Sequence, residues 1–234
     1  MLALLAARPP QPGALTVFAA SDLGPPFRQL VPRFEAAAGI RVTLVLGSTG
    51  VLAQQIRNGA PADVFFAANE SFVDGLVSES LTVRQSRTRY AEGRLAIVTL
   101  KSSRQVKDLN GLASPEVQRV AMANPHHAPY GLAAQQALQA AGLWDAVQPK
   151  LVFGENVQQA VQYVRSGSAD AGIVARSVAD TPDLNWTLVD RGLHAPLNQI
   201  AVVIARSRQP RAAMSFIEFV TGEGRGVMKQ FGFL

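Results

Sequence analysis

Three turns made of small polar residues each follow an apolar run and each open a helical pattern. The runs 15–20, 42–46 and 151–153 lead into the turns Ser21-Asp22-Leu23, Gly47-Ser48-Thr49-Gly50 and Gly154-Glu155-Asn156-Val157. The start of a helix offers unpaired backbone N–H groups and a partial positive charge, so it attracts anions. Three such starts that converge on one cleft can hold a small anion without a lysine or arginine. The sequence therefore predicts a binding site rather than a catalytic one.

The other residues that could do chemistry form no recognised motif. His126 and His127 are adjacent in a loop and cannot chelate as a set, and His194 stands at no metal spacing from the carboxylates. The sequence has no Gly-X-Ser-X-Gly elbow, Walker loop or Gly-X-Gly-X-X-Gly motif. Asp63 and Asp170 each begin an apolar strand, where hydrogen bonding at a turn or edge is the expected role. We therefore expect no enzyme, no metal cation and no cofactor.

Composition and charge narrow the class of protein further. The chain has 234 residues, and with 48% hydrophobic and 17% charged residues it can bury a substantial core. No apolar run approaches the roughly 20 residues that span a bilayer, so we expect a protein that is not embedded in a membrane. The net charge of +5 raises the question of nucleic acid. The densest basic segment, 84–89, has only Tyr90 beside it as a stacking aromatic, which favours a solvated face.

Residues 1–13 differ from the remainder of the chain. They combine a short apolar stretch with a small-residue exit at Ala6-Ala7 and a proline-rich end, as in the tail of a secretory signal. They lack a basic front end and are too short for a complete signal. We interpret 1–13 as a signal remnant or a disordered start and leave it out of the fold.

From Leu15 onward, short β-branched runs alternate with helical patterns, which indicates α/β units with mainly parallel sheets. Further strands are expected at 63–67, 95–100, 119–123, 170–175 and 199–204. Apolar residues at helical spacing predict helices around 27–34, 131–141, 157–164 and 212–220, followed by 227–231. Pro32 conflicts with the first helix because an internal proline removes a backbone hydrogen bond.

The order of these elements predicts two lobes. Residues 14–94 and 199–234 would form the first lobe and 95–198 the second, because a strand and a closing helix return after a long excursion. Two lobes joined by crossing strands give a hinge and a cleft.

Seven segments in order resemble the periplasmic molybdate-binding proteins of ABC importers. They are VFAASDL (17–23), GSTGVLAQQI (47–56), GAPADVF (59–65), PYG (129–131), GLWD (142–145), PKLV (149–152) and GENV (154–157). The resemblance implies a type II periplasmic-binding-protein fold that encloses a tetrahedral oxyanion, molybdate or tungstate, between its lobes. It also implies a periplasmic or extracytoplasmic location and permease subunits as partners, and we expect a monomer. Carried over position by position, the contacts would be Asp22, Thr49, Tyr130 and the backbone amide of Val157, with Ser21 and Ser48 as their neighbours.

Asp22 departs from the family pattern, which places a serine or a similar donor there. An ionised aspartate only accepts hydrogen bonds and repels a dianion. At about 4 Å and an effective dielectric constant near 20, each pair of like unit charges costs about 4 kcal/mol. Arg176, near a position where some family members have a tyrosine contact, adds a compensating charge. Either Arg176 pairs with Asp22, or Asp22 turns away and only its backbone N–H faces the site. Asp22 is also a candidate N-cap of the helix that starts near Pro25, which does not exclude a ligand contact.

Three alternatives stay open at this point. Asp22 is also compatible with a different cargo, an organic or cationic ligand, in the same transport role. A sensor or an enzyme on the same fold is the remaining class, because fold does not fix function. Molybdate and tungstate cannot be separated because they nearly match in size and charge.

Overall fold

The computed structural model describes residues 14–234, and the predicted signal remnant or disordered start at 1–13 lies outside them. The first of two sheets has five strands in the order β2-β1-β3-β10-β4. Its strands are β1 (Leu15–Ala20), β2 (Val42–Gly47), β3 (Val64–Ala67), β4 (Thr88–Gly93) and β10 (Leu197–Val203). The second sheet has the order β7-β6-β8-β5-β9. Its strands are β5 (Leu95–Leu100), β6 (Val120–Ala123), β7 (Leu151–Gly154), β8 (Ala171–Ala175) and β9 (Leu184–Leu188).

Both sheets are mixed, so the expectation of mainly parallel sheets is wrong. In the first sheet β1 lies parallel to β2 and β3, whereas β10 runs antiparallel to β3 and β4. In the second sheet β6 lies parallel to β7 and β8, whereas β5 runs antiparallel to β8 and β9. The antiparallel pairs arise where the chain changes sheet, since β4 continues through Arg94 into β5 and β10 returns to the first sheet. The lobe limits 14–94, 95–198 and 199–234 stay a prediction.

Helices cover both sheets. They are α1 (Gly24–Ala38), α2 (Thr49–Arg57), α3 (Glu70–Ser78), α4 (Leu109–Ala113), α5 (Pro129–Ala140), α6 (Trp144–Val147), α7 (Val157–Arg165), α8 (Arg176–Ala179), α9 (Pro210–Thr221) and α10 (Arg225–Gln230). Helix α1 continues through Pro32, which lies on the exposed face, where water can satisfy the carbonyl that loses its partner. Within residues 14–234, no helix is long and apolar enough to cross a bilayer.

An aromatic cluster packs helix α9 against helix α1 and strand β3 of the first sheet. Phe216 on α9 meets Phe27 and Phe34 of α1 edge-on, with ring centroids 5.6 and 4.9 Å apart. It also meets Phe66 of β3 at 5.5 Å. Each of these buried rings contributes about 1.5–3 kcal/mol by leaving water. Helix α9, which follows the returning strand β10, is therefore part of the packing around the first sheet.

Strands β4 and β9 lie in segments where the sequence pattern predicts no strand. Strand β4 overlaps the basic segment 84–89, in which Arg87 and Arg89 are paired with acidic side chains. Arg87 bonds Asp74 at 2.8 Å and Arg89 bonds Glu92 at 2.9 Å. These two arginines therefore have acidic partners on the protein itself.

Candidate functional site

A small cleft lies where four helical segments begin. The 3₁₀ turn Ser21–Leu23 follows β1 and leads into α1, and α2 starts just after β2. From the second lobe, α5 and α7 start at the same place. The cleft encloses a cavity of about 10 Å³. Its walls are Ala20, Ser21, Asp22, Gly47, Ser48, Thr49, Ala68, Ala128, Pro129, Tyr130, Asn156 and Val157.

The cleft brings together six of the seven residues that the sequence predicts for the site. They are Ser21, Asp22, Ser48, Thr49, Tyr130 and Val157. Three of the helical starts are those expected from the strand-turn-helix pattern, and the fourth is the start of α5 at the Pro-Tyr-Gly turn. Their role as ligand contacts stays a prediction.

The local hydrogen bonds leave donors available to a ligand. Asn156 caps α7 by accepting from the N–H groups of Gln158 and Gln159, at 2.9 and 3.2 Å. Val157, which lines the cleft, keeps its own first-turn N–H. The Thr49 hydroxyl oxygen accepts from the N–H of Ala68 at 3.1 Å, so its proton is free to point elsewhere.

Hydrogen bonds between the lobes surround the cleft. His127 in the second lobe contacts α2 twice, since its carbonyl accepts from Gly50 N–H at 2.9 Å and its Nδ1 lies 2.8 Å from Ser48 Oγ. Gln158 Nε2 donates to the carbonyl of Ser21 at 3.0 Å. Ser177 Oγ donates to the carbonyl of Asp22 at 2.7 Å. The two lobes are thus held together around the cleft, in a closed arrangement.

A buried network centred on Gln199 supports the floor of the cleft. Its Nε2 donates to Asp22 Oδ2 at 2.8 Å and to the Tyr130 hydroxyl at 3.1 Å. Its Oε1 accepts from the Tyr90 hydroxyl at 2.5 Å. Gly93 is required beside it, because a Cβ there would stand 2.1 Å from the Tyr130 hydroxyl oxygen. Since Gln199 lies on β10 and Tyr130 on α5, the network joins the returning strand to the second lobe.

Comparison with known proteins places this geometry in a family. A family model described as bacterial extracellular solute-binding protein matches residues 15–234. The chain belongs to this family. It is 33% identical to the molybdate-binding protein ModA of Azotobacter vinelandii over 230 residues, which are 95% of this chain and 90% of that protein. It is 30% identical to ModA of Rhodobacter capsulatus over 231 residues, 97% of this chain and 91% of that protein.

Solved structures agree with this assignment. The periplasmic molybdate-binding protein of Azotobacter vinelandii superposes with a TM-score of 0.87 at 30% identity, covering 94% of this chain and 98% of that one. The sulfate-binding protein SubI of Mycobacterium tuberculosis reaches a TM-score of 0.79 at 16% identity, over 95% of this chain and 86% of that one. At that identity SubI supports the fold alone. The architecture is that of a type II periplasmic-binding protein, with two lobes and mixed sheets.

Asp22 is the unusual group in the cleft of this solute-binding protein. It is 1% exposed, and its Oδ1 has no hydrogen-bond partner among the described residues. Burial raises the pKa of Asp22 to about 6, although hydrogen bonds from Gln199 and Tyr130 lower the pKa in part. Burial and the charge of Asp22 raise the pKa of Tyr90 and Tyr130 well above the usual value. Both hydroxyls are therefore neutral donors at physiological pH.

The structure shows neither a pairing of Asp22 with Arg176 nor capping of α1 by the Asp22 side chain. Arg176, the seventh predicted residue, does not line the cleft. Its Nη2 donates to Asp180 at 3.0 Å and its guanidinium lies 3.9 Å from the ring centroid of Trp186. Asp22 does not cap α1 either, because it lies inside the preceding 3₁₀ turn and its carboxylate is directed to Gln199.

The sequence does not identify the residues that hydrogen-bond to the cleft residues from behind the cleft or from the other lobe. In the sequence, His127 stands out only as a possible metal ligand. Gln158, Ser177 and Gln199 belong to no recognised motif. Within residues 14–234, no group of three or more His, Asp or Glu side chains is arranged to hold a metal ion. The sequence marks Gln199 only by its position on the strand that returns to the first sheet.

Proposed function

We propose that this protein captures molybdate or tungstate outside the cytoplasm and delivers it to the permease of an ABC importer. The observation that carries the proposal is the convergence of four helical starts on one closed cleft whose lining contains no lysine or arginine among the described residues. Helix starts bind anions through backbone N–H groups and the helix dipole. The relatives named molybdate-binding ModA, at 33% and 30% identity over nearly the whole chain, support the same cargo.

The donors match a tetrahedral anion. The hydroxyls of Ser21 and Thr49 and the N–H of Val157 come from three different segments, so they can reach different oxygens. Tyr130 lines the cleft beside them, with its hydroxyl bonded to Asp22 and Gln199. The closed cleft encloses a cavity of only about 10 Å³, which suits a small ligand rather than a large one. Pockets for larger organic ligands are usually about 300–1,000 Å³. The size of the cleft therefore favours the oxyanion over an organic cargo.

This proposal has consequences for the activity, location, oligomeric state and working cycle of the protein. The protein acts as a binding protein without enzymatic activity, in the periplasm or its equivalent, and it carries no resident cofactor. It works as a monomer, and its lobes open to release the anion to the permease. Closure by the bonds of His127, Gln158 and Ser177 supports this cycle, because each joins one lobe to the other.

A thermal-shift screen with molybdate, tungstate, sulfate and phosphate tests the proposal. A ligand at 100 times its dissociation constant adds about 2.7 kcal/mol to the free energy of unfolding. For a chain of this size that corresponds to a rise in melting temperature of about 5–11 °C. Molybdate and tungstate should produce this rise. A clear rise with another solute and none with these two would refute the assignment of cargo.

A further inference from the structure

The cleft contains a buried carboxyl group that pairs with no cation among residues 14–234. Asp22 lines the cleft and is 1% exposed, with Oδ2 bound to Gln199 and Oδ1 without a partner among the described residues. A free acceptor oxygen is unfavourable beside a dianion, whereas a carboxyl that carries a proton on Oδ1 is a donor. We infer that the cleft binds its dianion together with one proton, held on Asp22 Oδ1 and donated to a ligand oxygen. This inference rests on the proposed function.

The groups around Asp22 leave it as the acceptor of that proton. Tyr90 on β4 and Tyr130 on α5 are neutral, since burial and the Asp22 charge raise the pKa of both. Gln199 on β10 is uncharged and already donates to Oδ2. From α7, the residue near the turn is the uncharged Gln158, which donates to the carbonyl of Ser21.

The charged side chains nearby are engaged elsewhere. On α8, Arg176 pairs with Asp180. At the mouth of the cleft, the His127 ring lies 2.8 Å from Ser48 Oγ and 3.7 Å from Glu155. The imidazole ring of His127 is thus a second side chain beside the cleft that can bind a proton. The experiment must separate it from Asp22.

The loss of affinity is smaller if Asp22 is protonated than if the dianion binds beside its ionised form. With a pKa of about 6, about one Asp22 in 30 carries a proton at pH 7.5, so selecting that form lowers the apparent affinity about 30-fold. Binding a dianion beside the ionised carboxylate lowers it by about a thousandfold for each pair of like unit charges at about 4 Å. The proton comes from solvent and no covalent bond to the ligand forms or breaks. An anion that brings its own acidic proton, such as hydrogen phosphate, would need no uptake.

Isothermal titration calorimetry of molybdate binding in buffers of different ionisation enthalpy measures the proton count. At pH 7.5 the wild-type protein should take up about one proton per molybdate. Its affinity should rise about tenfold for each unit by which the pH falls from 8.5 towards 6.5, and level off below about 6. Asp22→Asn supplies an amide donor in place of the carboxyl. This variant should take up no proton, show a nearly flat pH profile and bind up to about 30-fold more tightly at pH 7.5.

Two further variants serve as controls. His127→Gln should retain uptake of about one proton, and Asp183→Asn, an exposed carboxyl-to-amide change in the second lobe, should match the wild type in proton count. Molybdate binding to the wild type without proton uptake, or uptake that persists in Asp22→Asn, would overturn this inference alone. Uptake lost in His127→Gln and retained in Asp22→Asn would overturn it in favour of the histidine. A wild-type protein that binds neither molybdate nor tungstate at pH 6 would overturn the proposed function and this inference with it.

Discussion

Asp22→Asn should stabilise the ligand-free protein at neutral pH and lose that advantage in acid. Burial raises the pKa of Asp22 from 3.8 to about 6, so the folded state holds a proton that the unfolded state releases. Stability of the wild type therefore falls as pH rises between these two values. A shift of about 2.2 units at 1.36 kcal/mol per unit gives about 3 kcal/mol. The asparagine does not titrate, so it avoids this loss.

Urea unfolding at pH 4 to 7.5 measures the effect. The free energy of unfolding of the variant minus that of the wild type should increase by about 2.4 kcal/mol from pH 4 to pH 7, because the remainder of the roughly 3 kcal/mol falls outside this range. Taking the difference removes the contributions of titratable groups that do not contact Asp22. The control is Asp183→Asn, since its pKa is lowered by Arg165 and the wild-type advantage over that variant should shrink as pH falls. A flat difference for Asp22→Asn, or one that decreases with pH, would refute the account of a destabilised carboxylate.

Three other substitutions probe the rest of the site. Val157→Pro removes the first N–H of α7 at a position where proline fits a helix. Calorimetry should show molybdate affinity about 10- to 100-fold lower than in the packing control Val157→Ala. Equal affinities of the two variants would rule out the N–H contact. Gln199→Leu leaves Asp22 and two tyrosine hydroxyls without their amide partner, so urea unfolding should show a loss of about 1–3 kcal/mol, whereas unchanged stability would contradict the network. Arg176→Ala should leave molybdate affinity within about twofold because Arg176 pairs with Asp180 outside the cleft, and a tenfold loss would reinstate it as a ligand contact.

The local parts of the site follow from the sequence. A β-branched run, a turn of small polar residues and an amphipathic stretch specify strand, turn and helix over about ten to twenty residues, as at 15–38 and 42–57. Asn156 caps α7 because its side chain reaches N–H groups only two and three residues away. The family motifs then identify which helical starts share a cleft, so Ser21, Asp22, Ser48, Thr49, Tyr130 and Val157 could be named in advance.

Tertiary structure decided which partner each of those residues has. Gln199 lies 177 residues from Asp22 in the chain, and Ser48 and His127 are 79 residues apart, so no local pattern predicts either contact. Strand β4 was hidden in a basic segment because its pairing with β10 is set by the return of the chain. The protonation state of Asp22 depends on desolvation, which is produced by all the residues that bury its side chain. The sequence places a carboxyl group at the start of a helix, but only the folded lobes remove water and cations from it and so determine its charge.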